Sequence, residues 1–179
     1  MKSSKNMQKE LKEIEYFKLF AQKRAFTLAD CDFESRPPPE PDILYRGELE
    51  TIAFELTNCL ENEIQQDFAK LTKGTVPQKA VVWADLSHCE SVLKSKLEKT
   101  NYQSAHPIEL VVFYGQNGQN WAAADDVYAG KLCCFLKEWI ASQEPIQFRR
   151  IWYLGEKDTY RLFSQTGEPC YEPGPNSGY

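Results

Sequence analysis

Residues 41–57 read PDILYRGELETIAFELT. Ile43, Tyr45, Ile52, Phe54 and Leu56 mark one side of two short runs that break near Gly47-Glu48, the alternation expected of a β-hairpin. Strand residues two apart point to the same side of a sheet, so Glu55 and Thr57 project together, opposite Ile52, Phe54 and Leu56. A hairpin turning near Gly47 brings Asp42, at the start of its first strand, close to the far end of the second, where Glu55 lies. Two carboxylates are therefore expected to converge. Hard oxygen donors of this kind, with water and phosphate in the remaining positions, suit Mg²⁺ or Mn²⁺.

The flanking segments predict the layers around that hairpin. From about Met7 to Arg24, the residues Met7, Leu11, Ile14, Phe17 and Phe20 recur at helical steps and predict a helix burying that stripe, with Glu10, Glu13 and Glu15 beside it. Residues 31–41, CDFESRPPPEP, predict an extended lead-in without regular structure, because successive prolines remove backbone donors and push their predecessors to extended geometry. After the hairpin, a short helix is expected from about Glu61 to Leu71, then a brief apolar run from Ala80 to Leu86. Residues 91–102 predict an amphipathic helix with Lys94, Lys96 and Lys99 on a basic outer face. The run ELVVFY, residues 109–114, is apolar nearly throughout and predicts a strand buried on both faces. A polar GQNGQN loop, a helix from about Asp125 to Ser142, a strand from Phe148 to Leu154 and a short edge strand from Asp158 to Phe163 complete the order. The expected fold is α/β, a mixed central sheet flanked by helices, forming a single domain over residues 1–166 with a mobile Pro/Gly-rich tail over 167–179.

Bulk properties narrow the function classes. The 179 residues, 42% hydrophobic and 13% aromatic, suffice for one ordinary core, and 26% charged residues exclude fibrous and wholly disordered classes. No apolar run reaches the roughly 18 residues of a membrane span, and the N-terminus lacks a secretory pattern, so a cytoplasmic protein without membrane contact is expected. Lys plus Arg is 21 against 26 Asp plus Glu, a net charge of −5, so any grip on nucleic acid must come from a local basic face. Six cysteines without C-x-x-C spacing read as buried free thiols rather than a zinc site.

Pro41-Asp42, a turn, then Glu55-Leu56-Thr57 closing a hydrophobic strand resembles the PD-(D/E)XK nuclease superfamily, the restriction-endonuclease-like fold, over roughly residues 7–115. That core runs helix, hairpin-type sheet, helix, strand. The resemblance implies that Asp42 and Glu55 bind Mg or Mn, that an acid on the first helix, Glu10 or Glu13, joins them, and that the activity is phosphodiester hydrolysis in nucleic acid. Thr57 stands where the family places its lysine, and a neutral hydroxyl does not stabilise developing negative charge as an ammonium does. In the superfamily a missing lysine can be supplied from a neighbouring helix; Lys94 and Lys96 are the candidates here, with Lys70 behind them.

Plainer roles exist for each residue taken singly. Asp42 after a proline suits a turn, Thr57 is a good strand former, and the helix acids and lysines suit solvated faces. Thr57 and the net acidity also favour an alternative, a nuclease-fold scaffold without activity that serves as an interaction or immunity-type module. A third expectation, an unrelated α/β binding domain, applies if Asp42 and Glu55 lie far apart or face different sides of the sheet.

Overall fold

The computed structural model describes residues 4–26, 28–29, 32–59, 86–116, 119–120, 125–142, 146–168 and 170. Its elements are α1 (Ser4–Lys23), β1 (Phe33–Ser35), β2 (Ile43–Arg46), β3 (Thr51–Asn58), α2 (Leu86–Leu97), β4 (Ile108–Phe113), β5 (Gly115–Gln116), β6 (Gln119–Asn120), α3 (Asp125–Ala141), β7 (Phe148–Leu154) and β8 (Thr159–Ser164). Six strands form one mixed sheet in the order β1-β2-β3-β4-β7-β8, and β5 pairs with β6 apart from it. The hairpin β2–β3 is antiparallel with Ile43 opposite Phe54. β3, β4 and β7 are parallel neighbours, and β8 closes the edge antiparallel to β7.

Both sheet faces are covered, which explains why β4 is buried at every residue. On one face α1 lays Tyr16, Phe17, Phe20 and Ala21 over Ile43, Phe54, Leu56, Val111 and Trp152. Phe17 sits among Phe33, Tyr45 and Phe54 at ring separations of 5.3–5.9 Å. On the other face α2 and α3 pack Cys89, Leu93, Leu97, Leu132 and Leu136 against Ala53, Leu110, Val112, Ile151 and Tyr153. Each fully buried Phe or Leu of these layers contributes about 2–3 kcal/mol of transfer free energy.

Several expectations need correction. Residues 33–35 pair with β2 as a short edge strand, because the prolines begin only at Pro37 and leave the preceding donors intact. The apolar stripe on the first helix does not run its full length: Met7 and Leu11 are each 56% exposed. The residues that turn inward there are Glu13 and Tyr16, which line a cavity together with the exposed Lys9 and Lys12 at its edge. The basic helix begins earlier than expected, at Leu86, and Lys96 does not share the outer face of Lys94. Cys59, Cys89 and Cys133 are buried thiols, whereas Cys134 is exposed. The expected helix 61–71, the run 80–85, Lys70 and most of the tail lie outside the described residues. Glu168, near the start of that tail, is held by Arg150 at 2.7 Å. No described helix is long and apolar enough to cross a membrane.

Candidate functional site

Asp42 lies one residue before the Ile43–Phe54 pair, so the antiparallel register places it across from Glu55. The β2 ladder has ended there, and the Asp42 carboxylate takes over as ladder partner: its Oδ2 accepts the backbone N–H of Leu56 at 2.9 Å. That bond pins the carboxylate against β3 between the two covered faces of the sheet.

From the α1 face, Glu13 meets Asp42. The two carboxyl groups lie close enough to interact, which favours the protonated form of Glu13. Burial first, then the Asp42 charge, push Glu13 up to about 7 against the opposing pull of Lys9. The Lys9 Nζ stands 2.8 Å from Glu13 and 3.6 Å from Asp42 Oδ1. Glu10, the other helix acid predicted, does not line the cavity described below.

From the opposite face, α2 meets Glu55. Its alternation with Phe54 and Leu56 is as expected, but the outer side of the strand is roofed by α2 rather than by water, and Glu55 is only 4% exposed. Its Oε1 accepts both the Lys96 ammonium at 2.5 Å and the Tyr102 hydroxyl at 3.0 Å. A carboxylate buried this deeply requires such partners. Burial and the Glu55 charge raise the Tyr102 hydroxyl well above its ordinary range, so it remains a donor at any physiological pH. Lys94 points away, 3.9 Å from Glu98 at the surface.

Beside these groups lies a cavity of about 260 Å³ lined by Lys9, Lys12, Glu13, Thr57, Asn58 and Lys96 among others, with Tyr16 and Phe113 stacked at 3.9 Å in its wall; Asp42 and Glu55 stand behind Glu13 and Lys96 rather than in the lining. It opens at the carboxyl ends of the parallel strands β3 and β4, the usual ligand position in α/β sheets. Asn58 ties those ends together, donating to the Gly115 carbonyl at 2.7 Å and accepting the Gly115 N–H at 3.2 Å.

Glu13, Thr57 and Lys96 therefore line one cavity, with Asp42 beside Glu13 and Glu55 paired to Lys96 behind it, while Lys94 stands with Glu98 at the surface. Lys9 and Tyr102 were not predicted as site residues. Lys9 is readable only as the i,i+4 partner of Glu13, and Tyr102 lies in an irregular connection whose path the sequence does not signal. Among the described residues no group of three or more His, Cys, Asp or Glu side chains is arranged to hold a metal ion. The donors at hand are the adjacent Glu13 and Asp42 carboxylates, and Mg²⁺ commonly binds through only one or two protein carboxylates, with water and substrate phosphate completing its shell. That donor set fits such an ion once the Lys9 ammonium swings away, and Lys9 is free to do so on a side chain 67% exposed. No protein-family model, curated protein or solved structure matches the chain.

Proposed function

We propose that the chain is a nuclease-like protein with a restriction-endonuclease-like core, hydrolysing phosphodiester bonds in nucleic acid at the Glu13, Asp42, Glu55 and Lys96 cluster with Mg²⁺ or Mn²⁺. The element order supports this: a helix, an antiparallel meander, a helix and a parallel strand over residues 4–113 follow the order of that superfamily's core. The observation that carries the proposal is Lys96. A lysine on the neighbouring helix delivers its ammonium to Glu55, over the cavity that Thr57 also lines, which is where the family's missing lysine is needed.

Glu13 and Asp42 would hold the ion, with Glu55 behind them. When bound, such an ion polarises a phosphoryl oxygen and lowers the pKa of a coordinated water. The chain's own groups supply the rest. Lys96, fixed by Glu55 and itself only 27% exposed, orients the attacking water and opposes negative charge developing on phosphorus oxygens. Tyr102 shares the same Oε1 and keeps Glu55 from rotating away. Lys9 and Lys12 at the cavity supply the local positive field that an acidic chain needs to attract a polyanion.

A second reading, the inactive interaction or immunity-type module, is favoured by Lys9: its ammonium already neutralises the carboxyl pair that would hold the ion. Incubation of the purified protein with Mn²⁺ and plasmid or single-stranded DNA decides between them. The nuclease reading expects cleavage by the wild type and a loss of at least about a hundredfold in Glu55→Ala, the scale of removing one key electrostatic group. Equal nicking by both proteins overturns the catalytic assignment, and absence of Mn²⁺ binding at millimolar concentration favours the inactive module.

A further inference from the structure

Beyond the site, α2 and β3 meet at a second pair of reactive side chains. Glu55, Thr57 and Cys59 lie two residues apart along β3 and its immediate extension, and so share the face that α2 covers. Cys89, Leu93 and Lys96 follow one another at helical steps of four and three on α2. The two rows run in opposite directions: Cys89 meets Cys59, and Lys96 meets Glu55. The spans agree, since four strand residues cover about 13 Å and seven helical residues about 10 Å. Cys59 and Cys89 are 1% and 0% exposed, and their sulfurs are 2.7 Å apart. Closing by roughly 0.7 Å reaches the covalent separation of about 2.05 Å.

We propose that Cys59 and Cys89 form an intramolecular disulfide when the protein meets a peroxide, stapling the start of α2 to the end of β3. One thiol attacks the peroxide oxygen, giving a sulfenic acid and water; the second thiol attacks that sulfur, the S–S bond forms, and a second water leaves. Two thiols and one hydrogen peroxide thus become one disulfide and two waters. Hydrogen peroxide is the fitting oxidant because it is scarcely larger than water, and the cavity lined by Thr57, Asn58 and Lys96 ends one residue from Cys59. Burial raises the Cys59 thiol and makes the step slow, so the pair responds to sustained rather than brief exposure. The staple fixes the helix that carries Lys96, two turns further along the same face.

Prolonged treatment of the full chain with millimolar hydrogen peroxide, followed by non-reducing peptide mapping, tests this independently of any nuclease activity. The expected product links the Cys59 and Cys89 peptides with a mass loss of about 2 Da. The melting temperature rises by about 5–10 °C and returns with dithiothreitol, whereas Cys89→Ala shows no such rise. Oxidation of exposed Cys134 reports that the dose was sufficient. Sulfinic acid at Cys59 or Cys89, a link from either to another cysteine, or both thiols remaining alkylatable after Cys134 has been oxidised overturns the proposal.

Discussion

The Lys96 Nζ lies 2.5 Å from Glu55 Oε1, forty-one residues away in sequence and across the interface between α2 and β3. Neither residue is at the surface in the ordinary sense, since their side chains are 27% and 5% exposed. A lysine placed there gives up much of its hydration, and the return is a charge held in a fixed position beside the cavity.

The same logic applies to Glu109, which shapes the far side of the sheet. It is 2% exposed, and its Oε1 accepts from Arg149 at 2.6 and 3.0 Å and from Arg150 at 2.9 Å, while Oε2 accepts the Trp152 indole N–H at 2.7 Å. Replacing Glu109 with Gln leaves two part-buried guanidinium groups without their shared anion and turns an amide toward the indole donor. The expected loss is about 3 kcal/mol of unfolding free energy, read from urea denaturation. A change below about 0.5 kcal/mol contradicts a stabilising role for the network.

Glu13 sets a pH dependence whose sign follows from its elevated pKa. A carboxyl raised from its ordinary value of 4.5 to about 7 binds its proton more tightly in the folded chain than in the unfolded one. Its contribution to stability is therefore complete below about pH 4.5 and is lost as pH rises toward 7. Glu13→Gln keeps a hydrogen-bonding group and does not ionise. The variant is expected to show a flatter stability profile between pH 4.5 and 7 than the wild type, with its largest relative gain at neutral pH, measured by denaturation at a series of pH values. An unchanged slope contradicts the carboxyl pair described here.

The first helix and the basic helix show how far the sequence speaks. The hairpin, the wholly buried β4 and the Phe148–Leu154 strand were legible because local alternation or continuous apolarity decides them. The face of α1 was not. Counting apolar residues puts Met7 and Leu11 inside, but the first half of the helix lies over a cavity toward which Glu13 turns beside Asp42, a tertiary cause with no local signature. Lys96 is a related case. A lysine among lysines reads as part of a solvated face, and only the buried Glu55 on another element gives it a reason to turn in. The pairing of Asp42 with Glu55 across the hairpin was legible because a ladder register propagates; the Asp42 bond to the Leu56 N–H was not, because it depends on where β2 stops.

Lys9 separates the active from the inactive reading. Its ammonium competes with any divalent cation for Glu13 and Asp42. With that exposed competitor removed in Lys9→Met, Mn²⁺ binding is expected to tighten by about fivefold, the scale of one exposed ion pair, by isothermal titration calorimetry. Failure of both wild type and variant to bind Mn²⁺ contradicts a metal-dependent site.

The most direct measurement moves the lysine. Thr57 and Lys96 line one cavity, and Thr57 occupies the position at which the resembling family carries its lysine. Cleavage of DNA in Mn²⁺ is compared among wild type, Lys96→Met and the double variant Lys96→Met/Thr57→Lys. If Lys96 supplies the ammonium from α2, the single variant loses at least about a hundredfold in rate and the double variant recovers a substantial part of it. A single variant as active as wild type contradicts the account.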